Sequence, residues 1–452
     1  MKEFPMKPFT ASPQIRVRVP GSKSITNRAL LLASLAEGRS IVRGVLFSED
    51  SRVFMQALRS AGFAVQIREE QAVVEIQGCG GKIPRDQASV YVGSAGTAAR
   101  FLTAMFALSE GCYEMTSSEQ MKSRPMRPLL EALEQLGAVF EYKERPYSFP
   151  FTVWGRQNGR GRNCHPEKVL LNIDESSQFL SALLLSGVLC GEGVTLELTG
   201  KRDARSYVKI SMKMMEEFGC HTEQRAENEY RILPGQSYQG RIYQIEPDVS
   251  AACYFYAMAA INGGTALVEH VHDTCTQGDI RFLDALEKMG CQREDTEEGI
   301  LLTAPDRDIL RGVDINMGDF SDQTMTMAAV SIFASGPTRI RGVGHIRGQE
   351  SDRLRAITTE LNRLGIRCEE KEDGLLIQPG PICSSREKPV HIQTYRDHRM
   401  AMAFAVIGTR QEGIVIGDPL CCRKTYEEYF DVLAGLGLQE NINVRIHKST
   451  ED

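Results

Sequence analysis

The strongest constraint on the fold is a pattern that recurs six times along the 452-residue chain. Each copy contains an amphipathic segment with apolar residues three and four positions apart, which predicts a helix with one buried face. A glycine follows the last turn, as is typical of a left-handed helix cap. The six segments are Phe54–Gly62, Leu129–Gly137, Met212–Gly219, Phe282–Gly290, Ile357–Gly365 and Phe430–Gly437.

A second type of helix alternates with the first. These segments are apolar nearly all round, which predicts that they are buried on every side. A short polar stretch precedes each one. The segments are Ala29–Ala36, Ala98–Leu108, Phe179–Leu189, Ala251–Ile261, Met325–Ala334 and Met400–Ile407.

The polar stretches can be read in two ways. They can be simple N-caps, or they can form anion sites, because helix N-termini carry free N–H groups and partial positive charge. If the copies are equivalent, the buried helices run parallel within a domain and their N-termini converge. Recurrence at six equivalent positions favours the anion-site interpretation.

Strand-like runs such as Ile15–Val19 and Val169–Ile173 lie between the helices, so the chain is predicted to be an α/β protein. Six units divide naturally into three plus three. The predicted boundary lies near Gly240–Glu246, between the third and fourth units. A chain of this length is expected to form two domains.

Composition excludes several classes of protein. The net charge of −6 gives no overall attraction to nucleic acid or to an anionic membrane. The longest nearly apolar run, Phe179–Cys190, is shorter than the roughly 20 residues that a membrane span needs. The first 20 residues lack the apolar segment of a signal peptide, and the 12 cysteines include no CxxC pair. We therefore expect a cytosolic protein.

The first chemical motif is Val19–Arg28, which reads VPGSKSITNR. It lacks the glycine spacing of a nucleotide-binding P-loop, so a nucleotide kinase is not predicted. Lys23 and Ser24 lie at a predicted helix start, and Arg28 follows one turn later on the same face. This arrangement suits anionic groups.

Further polar motifs follow at the starts of later helices. Several combine small residues, which permit close approach of a ligand, with arginine or lysine, which bind carboxylate and phosphate. They are Gly93–Arg100, Gln120–Met126, Ser176–Gln178, Asp322, Gln349–Arg353, Asp397–Ala401 and Lys424–Thr425.

Together, these motifs resemble those of the 5-enolpyruvylshikimate-3-phosphate synthase family, in the same order from Pro20 to Phe430. The strings that carry the resemblance are PGSKS, NRALLLA, AGTA, SRP, SSQF, ESDRL and DHRMAMA. The resemblance implies the enolpyruvyl transferase fold, an inside-out α/β architecture of two domains with three βαβαββ repeats each. It implies a first domain over residues 21–245, on the shikimate 3-phosphate side. Residues 1–20 and 246–452 would form the second, on the phosphoenolpyruvate and acid–base side.

The resemblance also implies an activity and its residues. The family transfers the enolpyruvyl group of phosphoenolpyruvate to the 5-hydroxyl of shikimate 3-phosphate, releasing phosphate on the route to chorismate and aromatic amino acids. The implied catalytic residues are Asp322, Glu350 and Lys23. The implied phosphoenolpyruvate-binding residues are Lys23, Gly96, Arg124, Gln178, Arg353, Arg399 and Lys424. The implied shikimate 3-phosphate-binding residues are Lys23, Ser24, Arg28, Ser176, Ser177, Gln178, Tyr207, Asp322 and Gln349.

The implied partners are these two small molecules, with no metal ion, organic cofactor, nucleic acid or membrane, and we expect a monomer. Gln349, His345 and Ala204 depart from the family's usual residues. Two alternatives remain. The first is a non-catalytic anion-binding relic of the same fold, which the presence of Lys23 and Glu350 disfavours. The second is the transferase acting on UDP-N-acetylglucosamine, disfavoured because Glu119 stands where that enzyme has its active-site cysteine.

Overall fold

The computed structural model describes residues 3–156, 166–200, 205–307, 309–436 and 442–444. Ala204 and Gly437 lie outside these ranges. Within them, no helix combines the length and the apolar character needed to cross a membrane.

Apart from the one-turn helix α4, the helices of the described ranges follow the two predicted types. The buried type comprises α1, α3, α6, α8, α10 and α12, and the amphipathic type α2, α5, α7, α9, α11 and α13. The bounds are α1 Lys23–Leu35, α2 Glu49–Ser60, α3 Gly96–Ala107, α4 Glu119–Lys122, α5 Arg127–Gln135, α6 Gln178–Ser186, α7 Arg205–Glu217, α8 Val249–Asn262, α9 Arg281–Met289, α10 Thr324–Ser331, α11 Arg353–Arg363, α12 His398–Gly408 and α13 Tyr429–Leu436.

The chain divides into two compact units, Gly21–Ile245 and Met1–Pro20 with Glu246–Asp452. We call the first the N-unit and the second the C-unit. Each has its own apolar core, built around its three buried helices. The expected βαβαββ pattern is present, since the repeats supply parallel strand pairs followed by antiparallel hairpins.

The N-unit contains three four-stranded sheets of one topology. Their orders are β14-β3-β5-β4, β6-β7-β9-β8 and β10-β11-β13-β12. In each, the first two strands are parallel and the rest antiparallel. The strands are β3 Arg39–Arg43, β4 Ala64–Arg68, β5 Val73–Gln77, β6 Gln87–Tyr91, β7 Cys112–Thr116, β8 Val139–Tyr142, β9 Phe151–Trp154, β10 Val169–Asn172, β11 Val194–Thr199, β12 Thr222–Ala226, β13 Glu229–Ile232 and β14 Ile242–Gln244.

The C-unit contains sheets of order β16-β17-β15-β2-β24, β18-β19-β21-β20 and β1-β23-β22. Its first repeat takes its leading strand from the start of the chain, because β2 pairs in parallel with β15. The strands are β1 Glu3–Pro5, β2 Gln14–Val17, β15 Thr265–Glu269, β16 Gln292–Thr296, β17 Gly299–Thr303, β18 Asp314–Asn316, β19 Thr338–Arg341, β20 Arg367–Lys371, β21 Gly374–Gln378, β22 Val390–Ile392, β23 Ile414–Gly417 and β24 Ile442–Val444.

The buried helices begin earlier than their apolar runs predict, and this positions the functional residues. The run in α1 starts at Ala29, but the helix starts at Lys23, so that Asn27 and Arg28 are helical and buried. In the same way α12 begins at His398 rather than Met400. Hydrophobicity alone misses such turns because their polar side chains are buried among one another. Two ends were predicted three residues too late, since α10 stops at Ser331 rather than Ala334 and α6 stops at Ser186 rather than Leu189.

Candidate functional site

The N-terminal turns of the three buried helices of the N-unit meet. Asn27 in α1 donates to Thr97 in α3, with Nδ2 and Oγ1 2.6 Å apart. Arg100 in α3 donates to Gln178 in α6, with Nη1 and Oε1 also 2.6 Å apart. The convergence expected from the repeat is therefore present in this unit.

These helix starts differ between the two units in their capping. The N-cap residues of α1, α3 and α6 make no side-chain cap, although Ser176 Oγ accepts from the Gln178 N–H at 3.3 Å. In the C-unit, Asp248 caps α8 and Asp397 caps α12, and only α10 lacks a side-chain cap among the three buried helices of that unit. Uncapped N-terminal N–H groups leave donors and partial positive charge for an anion. The N-unit therefore offers the more open anion site.

Arg28 is a buried cation in the N-unit, with 1% of its surface exposed. Its Nε donates to Ser211 Oγ at 2.8 Å and its Nη2 to Ser181 Oγ at 3.1 Å. No carboxylate among the described residues forms an ion pair with it. Burial lowers its pKa to about 10, with the nearby Tyr207 acting in the opposite direction. A buried charge in neutral surroundings is costly, so this site favours an anionic ligand.

Two more arginines surround Gly96 at the start of α3. A Cβ at this glycine would lie 2.8 Å from Arg100 Nη1 and 2.9 Å from both terminal nitrogens of Arg124. The Nε atoms of both arginines are buried and donate to no acceptor within the described ranges. Burial and the neighbouring charge of Arg124 hold the pKa of Arg100 well below its usual range. Donors left over in this way suit a carboxylate or phosphate.

The other expected N-unit residues lie at the same helix starts. Lys23 Nζ is 3.3 Å from Asp50 Oδ2, so its charge is already partly balanced. Ser24 and Tyr207 are half-buried, and their backbone carbonyls accept hydrogen bonds from Arg28. Ser177 is buried as the N-cap residue of α6.

Arg353 is the centre of the charged network in the C-unit. It is 2% exposed, and its Nε donates to Asp397 Oδ2 at 2.8 Å. Its Nη1 donates to Asp322 Oδ1 at 3.1 Å and also to the Gln349 side chain. Burial opposes the charge of Arg353, but the carboxylates of Asp397, Asp322 and Glu350 hold its pKa above its usual range. The positive charge of Arg353 is therefore already balanced by carboxylates of its own unit.

Glu350 lies between two basic groups. Its Oε2 is 2.9 Å from His398 Nδ1, and its Oε1 is 3.1 Å from Lys424 Nζ. The Glu350 side chain is 9% exposed and that of His398 is 2% exposed. One ligand atom each of Glu350, Asp397 and His398 lies within 4.8 Å of the others, as in a metal site. However, Lys424 and Arg353 already balance the two carboxylates, so the cluster forms an ion-pair network.

Asp322, immediately before α10, links a second arginine to this network. Its Oδ2 is 2.7 Å from Arg399 Nη2, and its side chain is 16% exposed. Next to it, Ser321 Oγ lies 2.8 Å from His345 Nε2. Asp322 therefore bridges Arg353 and Arg399.

Comparisons with known proteins agree with this geometry. Residues 11–433 match the family described as EPSP synthase (3-phosphoshikimate 1-carboxyvinyltransferase). The chain belongs to the EPSP synthase family. A 3-phosphoshikimate 1-carboxyvinyltransferase of Nostoc punctiforme is 43% identical over 414 residues, which cover 92% of this chain and 94% of the relative. The chloroplastic enzyme of Arabidopsis thaliana is 39% identical over 432 residues, covering 92% and 81%.

The fold is also that of EPSP synthases of known structure. The structure of EPSP synthase from Acinetobacter baumannii superposes with a TM-score of 0.79, covering 97% of this chain and 99% of that one, at 24% identity. The family resemblance and the enolpyruvyl transferase fold expected from the sequence are thus confirmed, and the chain is an enzyme of the EPSP synthase family.

Sequence reasoning did not assign a role to three members of these networks. Arg100 completes the arginine pair around Gly96, while Asp397 and His398 hold Arg353 and Glu350. A signal was present for Arg100, since it lies four residues after Gly96 as Arg28 lies four after Ser24. The same reasoning extends to His398, which is the first residue of a buried helix.

Proposed function

We propose that this member of the EPSP synthase family transfers the enolpyruvyl group of phosphoenolpyruvate to the 5-hydroxyl of shikimate 3-phosphate. The observation that carries the proposal is a set of arginines at the uncapped helix starts of the N-unit, which form no ion pair with a carboxylate of the described ranges. Arg28 and Arg100 are both buried there, and Arg124 lies beside Gly96. Substrates with a phosphate and carboxylates supply the missing charge.

We assign shikimate 3-phosphate to the N-unit. The phosphate would take hydrogen bonds from the helix starts of α1 and α6, near Arg28 and Lys23. The residues assigned to this substrate are Lys23, Ser24, Arg28, Ser176, Ser177, Gln178 and Tyr207, with Asp322 and Gln349 from the C-unit. Because Gln349 accepts a hydrogen bond from Arg353, it holds that guanidinium rather than adding a charge of its own.

We assign phosphoenolpyruvate to the cations Lys23, Arg124, Arg353, Arg399 and Lys424, together with Gly96 and Gln178. Lys23 and Gln178 are assigned to both substrates. The Nε of Arg124 is a buried donor with no acceptor in the described ranges. Arg124 can therefore bind a carboxylate without breaking an ion pair. Arg353 and Arg399, in contrast, must exchange a carboxylate of the protein for an oxygen of the substrate.

The reaction consists of an addition and an elimination, and both steps move protons. In the addition, the methylene carbon gains a proton, and the 5-hydroxyl oxygen bonds to the neighbouring carbon while losing its proton. In the elimination, the carbon–oxygen bond to phosphate breaks and the methyl group loses a proton. We assign Glu350 and Asp322 to this acid–base work, assisted by Lys23, since the two carboxylates have different partners.

Glu350 is suited to carry protons to and from carbon. It lies beside a histidine and a lysine, both largely buried, and Arg353 Nη2 is 3.7 Å from its Oε2. Asp322 contacts two arginines at 3.1 Å or less, which keep their charge, and this favours the carboxylate form that accepts a hydroxyl proton. We further propose that the enzyme works in the cytosol as a monomer, without nucleic acid or membrane.

The decisive test is phosphate release with shikimate 3-phosphate and phosphoenolpyruvate together, against controls that lack one substrate. We expect release only when both are present, together with an enolpyruvyl product seen by mass spectrometry. Binding of shikimate 3-phosphate without any release would identify a non-catalytic relic. Release with UDP-N-acetylglucosamine instead would identify the other enolpyruvyl transferase, which the family match disfavours.

A further inference from the structure

The turn that leads into α12 has an unusual backbone. The Asp397 N–H donates to the Thr394 carbonyl at 2.8 Å, and the two residues between them, Tyr395 and Arg396, have φ angles of 55° and 56°. A turn with two left-handed central residues normally carries glycine, asparagine or aspartate there, because a Cβ crowds the backbone. Among the described residues, this is the only place where two consecutive non-glycine residues are left-handed. Contacts with neighbouring elements must therefore hold the turn.

Helix α11 holds both ends of this turn. Arg353, its first residue, donates to the Asp397 carboxylate at 2.8 Å. Glu360 lies two helical turns later on the same face of α11. Its carboxylate accepts hydrogen bonds from the Tyr395 hydroxyl at 2.7 Å and from the Gln393 N–H at 3.2 Å. One face of one helix thus fixes the turn at its start and at its end.

The hydrogen bond between Tyr395 and Glu360 is the more specific of these contacts. Glu360 is 0% exposed, so its carboxylate needs partners, and Arg363 Nη2 lies 3.5 Å from its Oε1. Tyr395, in contrast, is 40% exposed. The bond from its hydroxyl, rather than burial of its ring, therefore holds Tyr395 against α11.

The turn determines where α12 begins, and with it the position of a residue assigned to the substrate. Asp397 caps α12, because its Oδ1 accepts from the Arg399 N–H at 3.0 Å. The Arg399 side chain then reaches Asp322, with Nη2 and Oδ2 2.7 Å apart. A shift of the turn would move both the cap and the guanidinium of Arg399.

We propose that Glu360 and Tyr395 are positioning residues for phosphoenolpyruvate. Their hydrogen bond holds the left-handed turn, the turn sets the start of α12, and the start of α12 sets the position of Arg399. This inference rests on the proposed function, in which Arg399 binds phosphoenolpyruvate. Neither Glu360 nor Tyr395 has a role in the acid–base steps of the reaction.

Loss of the Tyr395 hydroxyl should weaken one substrate only. Tyr395→Phe keeps the ring and removes a hydrogen bond to a charged group, and such a bond corresponds to roughly 10- to 100-fold in an equilibrium constant. Only part of this effect reaches Arg399, so we expect the KM for phosphoenolpyruvate to rise about tenfold. The KM for shikimate 3-phosphate should change by less than about twofold, because its phosphate is assigned to the N-unit.

Two further variants test whether the pair acts as a unit. Glu360→Gln should raise the same KM, because it removes the charge that accepts the hydroxyl hydrogen bond. The double variant Glu360→Gln/Tyr395→Phe should be no worse than the weaker-binding single variant, since both changes remove one contact. Tyr243→Phe is the matched control, because the Tyr243 hydroxyl donates to Glu217 Oε2 at 2.9 Å in the N-unit. It should leave both KM values unchanged.

The experiment measures phosphate release with each substrate varied in turn, together with thermal unfolding of each form. A purely structural role would reduce the amount of folded enzyme, which lowers the apparent kcat and leaves both KM values as they are. That result overturns the inference, as does an equal rise in both KM values for folded Tyr395→Phe. Single effects that multiply in the double variant also contradict it.

Two outcomes need separate treatment. If Glu360→Gln does not fold, the comparison of Tyr395→Phe with Tyr243→Phe decides alone, because Tyr395→Phe keeps a ring that is already largely exposed. If the unaltered enzyme releases no phosphate with both substrates present, the proposed function is overturned and the inference with it. Normal turnover of the unaltered enzyme with a normal KM in Tyr395→Phe overturns the inference alone.

Discussion

Gly96→Ala is the perturbation whose consequence the structure defines most closely. The new Cβ would lie 2.8 Å from Arg100 Nη1 and 2.9 Å from the terminal nitrogens of Arg124. Ordinary contacts to a Cβ begin at 3.4 Å, so the guanidinium groups must give way by about half an ångström. Arg100 is buried and held by Gln178 and by the Pro125 carbonyl, whereas Arg124 is only half-buried. Both side chains must shift, and Arg124 is therefore the one expected to move further.

The expected cost is that of one misplaced charge-assisted hydrogen bond, about 1.5 to 3 kcal/mol. This corresponds to a fall of roughly 10- to 100-fold in kcat/KM for phosphoenolpyruvate. The KM for shikimate 3-phosphate should change by less than about twofold, since Arg28 has no contact with this Cβ. Steady-state kinetics with each substrate varied in turn measures both values.

Gly336→Ala is the matched control for this prediction. A Cβ added at Gly336 would meet no heavy atom within 4 Å beyond its chain neighbours, and the position does not require a left-handed backbone. The substitution should leave both KM values unchanged. The reasoning is refuted if Gly96→Ala binds phosphoenolpyruvate normally, or if it weakens both substrates equally.

Three other predictions follow from the charged networks. Glu350→Gln should keep the KM for shikimate 3-phosphate but lower turnover by about 100-fold or more, because it removes an acid–base group; near-normal turnover in single-turnover assays would exclude that role. Arg28→Gln should raise the KM for shikimate 3-phosphate by about 100-fold, whereas the exposed Arg127→Gln should not, as checked by substrate titration. Asp397→Asn should lower the unfolding free energy at pH 7 by about 3 to 5 kcal/mol, since it leaves the buried Arg353 without its nearest acid. Although burial acts to raise the pKa of Asp397, Arg353 holds it below its usual value. Its stabilising effect is therefore present above about pH 4 and lost on further acidification, so urea unfolding of the variant should lack that acid-dependent step.

Much of the fold could be predicted because it depends on local, repeated chemistry. Apolar residues at helical spacing identified all twelve of the larger helices in the described ranges, from Phe54 onward in α2 to Phe430 in α13. The prediction was least accurate at the starts of the buried helices. There Lys23 and Gly96 lie inside the helix although they interrupt the apolar pattern. Buried polar residues need hydrogen-bond partners, and here these partners lie far away in the chain. One stretch of sequence does not reveal them.

The candidate site shows the same division. Its charged residues could be selected from the motifs, because lysine and arginine at helix starts suit anions whatever surrounds them. The sequence could not show which of these cations lack a carboxylate partner in the folded protein. Arg28 and Arg353 look alike in sequence, yet of the two only Arg353 is enclosed by carboxylates of its own unit, from positions 31 and 44 residues away.

The sequence by itself determined the family, the repeat and the residue types of the site, because these follow from local periodicity and from short motifs. Only the tertiary structure decided how charge is distributed among them. It placed uncapped helix N-termini of the N-unit beside arginines that lack a carboxylate partner within the described ranges, and it gathered Glu350, His398 and Lys424 from three separate elements of the C-unit. The physical reason is that burial and pairing energies depend on distances between groups far apart in the chain, and folding alone sets those distances.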